Sequence, residues 1–387
     1  MKNLLIAAIA LFFFSACNRN IFLRSEKVIS TVKHNFVPDK RVGVFKVNPV
    51  PEGKKIILKG ETDQPKAKEE LLAKLKKQRI KYIDEIMLLP SKELNGKNYG
   101  IVNLSVCNIR SKPKHSGELA TQALFGTPVK VLKQKDNWFL IQTPDQYISW
   151  LDSEGFTLMD KTQFDHWKNS EKVIFLDDFG FVYEAPKSGA RIVSDLVAGD
   201  ILKYKWDEKD WTKVEFPDGR QGYIIKSKAR KYKQWLAGLN PQQADIINMA
   251  FRFMGRPYLW GGTSGKGLDC SGFTKTVYFL NGILLPRDAS QQVNVGVEVK
   301  TDTTLKNLQP GDLLFFGRKA TPEKKERITH VAIYLGNGKI IHATGKVKVE
   351  SLKSDDPAFA KKRLETFVRA KRILGFAGQN GVEKVNY

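Results

Sequence analysis

Cysteine, histidine and acidic charge are all scarce in this chain, and its apolar runs are short. Of 387 residues only three are cysteine, Cys17, Cys107 and Cys270, which leaves no disulfide framework and no CxxC metal pattern. Histidine occurs five times, and Asp plus Glu total 41 against 64 Lys plus Arg. The resulting net charge of +23 is spread over the chain without a single arginine stripe. Such a balance can favour anionic surfaces or polymers, with a general effect on solubility as the plain alternative. Nucleic acid is a poor partner, because aromatic and basic residues do not interleave in a recognition fold. The apolar run Leu4–Phe14 falls short of the ~20 residues needed to span a bilayer. The chain as a whole is 42% hydrophobic, enough for two to four domains, each with its own core, and not a disordered chain.

Lys2 and the apolar run after it read as a secretion signal over residues 1–17. Phe14-Ser15-Ala16-Cys17 resembles the lipobox of bacterial lipoproteins, with Phe14 where leucine is commoner. Cys17 then becomes the lipidated N-terminus, and several acyl chains there would anchor stably. Cleavage nearby beside an incidental cysteine is the alternative. Asn18-Arg19-Asn20 leaves the choice of membrane and face open.

Residues 18–40 read as a tether. Over 41–96, Val42-Gly43-Val44-Phe45-Lys46-Val47 and Lys55-Ile56-Ile57-Leu58-Lys59-Gly60 suggest two strands. Pro65 opens a helix in which Leu71, Leu72 and Leu75 share a face, and Ile83–Leu89 supplies a third strand. This is a small α+β module with no residue that suggests chemistry. Residues 97–160 and 170–232 each read as short strands separated by turns, the pattern of two small β-barrels. The run Val106–Pro113, Gly126–Leu132, Trp138–Gln142 and Tyr147–Leu151 resembles bacterial Src-homology-3-like domains. Ser149 stands where a glycine is usual. Phe181-Val182-Tyr183, Trp211–Val214 and Gly219–Ile224 look like a divergent second copy. Cys107 lies in a strand-like run and is expected to be simply buried.

Chemistry concentrates after residue 240. Leu268-Asp269-Cys270-Ser271-Gly272-Phe273 runs from a glycine-rich loop into a segment where Phe273, Val277 and Leu280 recur at helical spacing. Cys270 therefore sits in the first turn of a helix, where the dipole and unpaired N–H groups favour thiolate. A buried structural cysteine is the alternative. Two of the five histidines flank one hairpin, Thr329–Leu335 and Lys339–Ala343, around Gly336-Asn337-Gly338, a strong turn signal. If all three turn residues form the loop, His330 faces Thr344 and His342 lies two residues along on the same face. That diagonal is roughly 7–8 Å between backbones, within reach of two imidazoles. A two-residue loop would put them on opposite faces, so a three-residue or bulged loop is part of the reading. Cys270, His330 and His342 then supply the nucleophile, base and orienter of covalent catalysis.

Five ordered motifs, Arg256–Gly262, Leu268–Phe273, Pro310–Phe316, His330–Tyr334 and Ile341-His342-Ala343, resemble the NlpC family of papain-like cysteine peptidases over residues 240–375. The resemblance implies cleavage of the γ-D-glutamyl bond to a diamino acid, diaminopimelate or lysine, in peptidoglycan stem peptides. It implies Cys270 as nucleophile, His330 as base, His342 as orienter, and Tyr258 beside an oxyanion hole with the Cys270 N–H. Two barrels ahead of such a domain narrow it to γ-D-glutamyl-L-diamino-acid endopeptidases acting on released muropeptides. There the first barrel closes one end of the cleft and holds the free amine of L-Ala. By resemblance Glu118 would counter that amine, with Tyr147 as hydrogen-bond partner. An exposed charge is an equally good reading of Glu118, and a core aromatic of Tyr147.

Trp260, Asp269 and Asp288 are further pocket candidates. Ala289, where related enzymes often have serine, puts one substrate hydrogen bond in question. Ser271 could bind a substrate carboxylate or cap the helix. Asn240 and Pro241 start a supporting helix with Ile246, Ile247, Ala250, Phe251 and Met254 on its apolar face. Arg318–Arg327 reads as a solvated, charged insertion. No cofactor or metal is expected, because the two histidines are used by the thiol and no carboxylate stands at a ligand spacing. The expectation is a multidomain α+β protein in which a papain-like, NlpC-type domain follows two β-barrels and a small α+β module. It is expected to be monomeric, periplasmic and anchored to a membrane through lipid on Cys17. The rivals are a hydrolase of intact cell-wall stem peptides and a non-catalytic wall-binding protein.

Overall fold

The computed structural model describes residues 20–302 and 304–387, so the signal and Cys17 lie outside the described residues. The chain forms two compact units. One runs to Asn98 and includes Val131–Gln134; the other comprises Tyr99–Lys130 and Lys135–Tyr387.

In the first unit, residues 20–36 form a helix rather than a tether. Ser25, Val28, Ile29 and Val32 are buried, and their three- and four-residue spacing makes one apolar stripe. The sequence hides this stripe because charged residues crowd the turns between. It packs into the same core as Phe45, Val47, Ile56, Leu58, Leu71 and Leu75. Strand Phe45–Glu52 pairs antiparallel with Lys55–Thr62, which pairs parallel with Tyr82–Leu88. Helix Pro65–Lys77 makes the crossover between the parallel pair. Its Leu71 and Leu75 are fully buried, while Leu72 is half-buried at the margin.

The second unit holds two seven-stranded sheets and a mixed domain. The first sheet runs from Tyr99–Val102 to Phe156–Met159, and the second from Lys172–Phe175 to Ala229–Lys231. Each curls into a small barrel whose alternating strand residues point inward. Ser149 is buried in strand Ile148–Asp152, and its hydroxyl donates to the Arg110 carbonyl at 2.6 Å, tying two strands together where a glycine is usual.

In the mixed domain an antiparallel six-stranded sheet is covered on both faces, which explains the unbroken apolar run Leu313–Phe316. Leu313, Phe315, Val331 and Ile333 meet Phe273 and Val277 of helix Cys270–Phe279 on one side. Leu314, Phe316, Ala332 and Tyr334 pack with Ile340 and Phe367 on the other. The supporting helix spans Gln243–Arg252 with Gln242 as cap, two residues later than Asn240 and Pro241 suggest. Ile246, Ala250 and Phe253 form its buried line, so Phe251 and Met254 fall beside it and stay exposed.

Candidate active site

Asp269, not Ser271, caps the Cys270 helix: its Oδ1 accepts the Gly272 N–H at 2.7 Å. Its Oδ2 takes the Gly261 N–H at 2.9 Å and pairs with Arg287 at 2.5 Å. Arg287 is fully buried, a cation that the sequence reading passed over between Pro286 and Asp288. It also donates to Ser271 Oγ at 3.0 Å and to Thr121 Oγ1 of the first barrel at 3.0 Å. Its charge and fork geometry thus fix the nucleophile's helix and the barrel together. Asp269 is committed to this framework, which leaves it little capacity for substrate.

Cys270 is buried, and burial pushes its thiol up to about 11, with Asp269 adding to the rise. The Val331 and Ser271 N–H groups and Arg287 act the other way but do not prevail. Desolvation therefore works against the thiolate that the helix terminus favours, and the net direction is toward the thiol. The tertiary contact responsible, strand Arg327–Gly336 lying against the sulfur, has no local signal. Tyr258 is half-buried and held up at about 12, chiefly by burial and then by Cys270 and Asp269, so its phenol keeps its proton and can donate it in a hydrogen bond.

The hairpin has the register expected for a three-residue or bulged loop, and takes the bulged form, with Gly336 opposite Lys339. Ile333 pairs with Ile341 and Tyr334 with Ile340, with a bulge before Gly336. Gly336, Asn337 and Gly338 all have positive φ, at 99°, 52° and 78°, which two glycines and an asparagine accept. His330 and His342 share a face: His330 Nε2 lies 2.8 Å from His342 Nδ1. That leaves Nδ1 of His330 as the ring nitrogen available to the thiol. Burial lowers both histidines, and the cation of Arg363 adds to this. Glu350, unremarked in the sequence reading, places Oε2 3.0 Å from His342 Nε2, an ion-pair distance outside hydrogen-bond alignment.

Cys270 and His330 line a cleft of about 520 Å³ that also touches Tyr258, Asp269, Ser271, Asp288, Ala289 and Ser290. The first barrel contributes Ser111, Glu118, Leu119, Ala120 and Tyr147 to the same lining. The barrel sits tightly here, since a Cβ on Gly261 would lie 2.3 Å from the Leu119 carbonyl oxygen. Trp260 donates its indole N–H to Glu118 Oε1 at 2.8 Å. Glu118 is exposed rather than enclosed, and it lines the cleft. Asp288 joins a capping box with Gln291 at helix Ala289–Gln292 while lining the same cleft.

A nucleophile on a helix against an antiparallel sheet that carries paired histidines defines a papain-like cysteine peptidase. The comparisons agree. Residues 255–368 match the NlpC/P60 family, 109–156 the bacterial dipeptidyl-peptidase Sh3 domain and 178–229 the bacterial SH3 domain. A γ-D-glutamyl-L-lysine dipeptidyl-peptidase of Bacillus cereus is 30% identical over 67% of this chain and 77% of its own length. The Bacillus subtilis protein of that name is 34% identical over 59% and 74%. A crystal structure of an NlpC/P60 family protein from Bacillus cereus aligns at a TM-score of 0.60 and 26% identity, covering 71% of this chain and 99% of that one. This chain belongs to the NlpC/P60 family.

Proposed function

We propose that the protein hydrolyses the bond between γ-D-glutamate and an L-diamino acid, diaminopimelate or lysine, in peptidoglycan-derived peptides with a free N-terminal L-Ala. The observation that supports this reading is the cleft itself, whose lining brings Cys270 and His330 together with the Glu118 carboxylate. An ammonium at Glu118 and a scissile carbonyl at the sulfur would fix how far the cut lies from the N-terminus. The two Bacillus dipeptidyl-peptidases support the choice of bond.

The Cys270 proton passes to His330 Nδ1 as sulfur attacks the γ-carbonyl carbon. The carbon–sulfur bond forms and the oxyanion takes hydrogen bonds from the Cys270 N–H and the Tyr258 hydroxyl. His330 then gives the proton to the departing amine, the carbon–nitrogen bond breaks, and water hydrolyses the thioester with His330 again as base. His342 holds the His330 ring. Glu118, Tyr147 and Trp260 grip the L-Ala end, while Ser271 and Asp288 offer polar groups to the D-glutamyl carboxylate and backbone. Asp269 acts through Arg287 and the helix cap.

The same reading makes the protein a monomeric periplasmic lipoprotein held by acyl chains on Cys17. The test is product analysis: mass spectrometry after incubation with L-Ala-γ-D-Glu-diaminopimelate should find the dipeptide and free diaminopimelate, with none from Cys270→Ala. A cut at any other bond, or none from folded protein, would refute the assignment. Labelled palmitate recovered on the full chain but not on Cys17→Ala would check the anchor.

A further inference from the structure

The paired histidines do not end the chain of contacts. His342 is fully buried, with Nδ1 against His330 and Nε2 against Glu350. Lys348 Nζ holds the other oxygen of Glu350 at 2.5 Å. His342 and Lys348 are cross-strand partners, so Glu350 stands two residues along the face that carries both histidines.

The protons in this chain can be placed. For His330 Nδ1 to accept from the thiol, Nε2 must bear hydrogen and donate to His342 Nδ1. His342 must then carry its own hydrogen on Nε2, the nitrogen that lies 3.0 Å from Glu350 Oε2. Charge raises the same demand. When the thiol proton moves to His330, a cation appears in a buried place that already feels Arg363, from helix Lys361–Glu365. On the thiol side stand Asp269 and Arg287, already bound to one another. Around the histidines stand Lys348, Arg363 and Glu350. Among the described residues, Glu350 is the carboxylate in contact with the pair.

We propose that Glu350 is a positioning residue of the catalytic centre, whose carboxylate fixes the His342 tautomer and balances the imidazolium formed at His330 as Cys270 loses its proton. The proposal rests on the cysteine-peptidase reading of Cys270 and His330. The step moves one proton from Sγ to Nδ1 and creates a thiolate and an imidazolium with no change in net charge.

The test is Glu350→Gln, which keeps the shape and an acceptor oxygen but removes the charge. Alkylation of Cys270 by iodoacetamide is followed against pH, with no peptide present. The native protein should show a plateau near neutrality from the thiolate–imidazolium pair, then a rise toward about 11 as the thiol ionises. In Glu350→Gln the plateau should fall about 10–100-fold while the alkaline rise stays, and kcat on the γ-D-glutamyl peptide should fall with it at a KM within about twofold. Glu350→Asp, its fold verified by protection of Cys107, should recover part of the loss. An unchanged plateau in Glu350→Gln overturns the proposal, as does a loss that Glu350→Asp fails to relieve. Should the native protein alkylate as described yet cleave no peptide, the substrate reading fails, and the plateau alone still decides the role of Glu350.

Discussion

Burial sets the chemistry of individual residues here more than local sequence does. Cys107 is buried and pushed up to about 12 by desolvation, whereas Cys270 opens on the cleft. Iodoacetamide at pH 8 should therefore label Cys270 at least ~100-fold faster than Cys107 in the folded protein, read by peptide mapping; comparable rates would mean that the Cys270 sulfur is closed off. Arg287 and Asp269 form a pair of side chains 1% and 9% exposed. Arg287→Met would strand the carboxylate that caps the Cys270 helix, at a cost of about 3–5 kcal/mol by urea unfolding. Adding Asp269→Asn should recover a good part of that, and no recovery would show that the ion pair is not the source. The thiol and both histidines stood out in sequence because their residue types are rare and their motifs ordered, whereas Glu118 and Tyr147 were candidates by resemblance alone. Arg287 was not legible, since nothing in Pro286–Ser290 announces that an arginine will be buried against a barrel more than 160 residues earlier. Glu350 had a signal that parity could have caught: it alternates in phase with Lys348 opposite His342.

At the scale of elements, the hairpin is the clearest case of sequence deciding geometry. The turn Asn337-Gly338, closed by the pair Gly336 and Lys339, and the bulge between Tyr334 and Gly336 together fix the register, and register puts both imidazoles on one face. Deleting Asn337 should leave a folded hairpin with the histidines on opposite faces. Hydrolysis would then drop to the level of Cys270→Ala, while circular dichroism stays native; retained activity would contradict the register argument. The helix over residues 20–36 shows the opposite limit. Its stripe is completed by a buried serine and set among charged residues, so hydropathy alone does not reveal it. Gly272 marks a third kind of constraint, a close approach. A Cβ there would meet the Gly262 carbonyl oxygen at 1.9 Å, and neither backbone can yield easily. Gly272→Ala should shift the Cys270 helix and destabilise the unit by about 1–3 kcal/mol, with activity lost in parallel.

Across the whole molecule, the barrels complete the peptidase as well as accompany it. The first supplies one wall of the cleft and the Gln122 contacts to Thr263 and Ser264. The second grips Arg252 and Arg256 through Asp178. Acid should loosen this unit in a defined window. His330 and His342 are held neutral when folded, both lowered by burial first. Unfolding returns them toward the ordinary value near 6.5. Below that value the unfolded chain binds more protons than the folded one, so stability falls as pH drops from about 6.5, while above it their contribution is complete. The thermal midpoint should decline between pH 7 and pH 5, and less steeply in the double variant His330→Asn, His342→Asn; an identical slope would assign the acid sensitivity elsewhere.

The central claim, a cysteine peptidase measuring its cut from a free amine, is tested most directly by comparing kcat/KM for two peptides. One is L-Ala-γ-D-Glu-diaminopimelate and the other is the same peptide capped on its amine by muramic acid. The account predicts that the free-amine peptide is preferred by about tenfold or more, the worth of one charge-assisted contact, and that Glu118→Gln removes the preference. Equal cleavage of both peptides by the native protein would contradict it, and would point to a hydrolase of the intact wall.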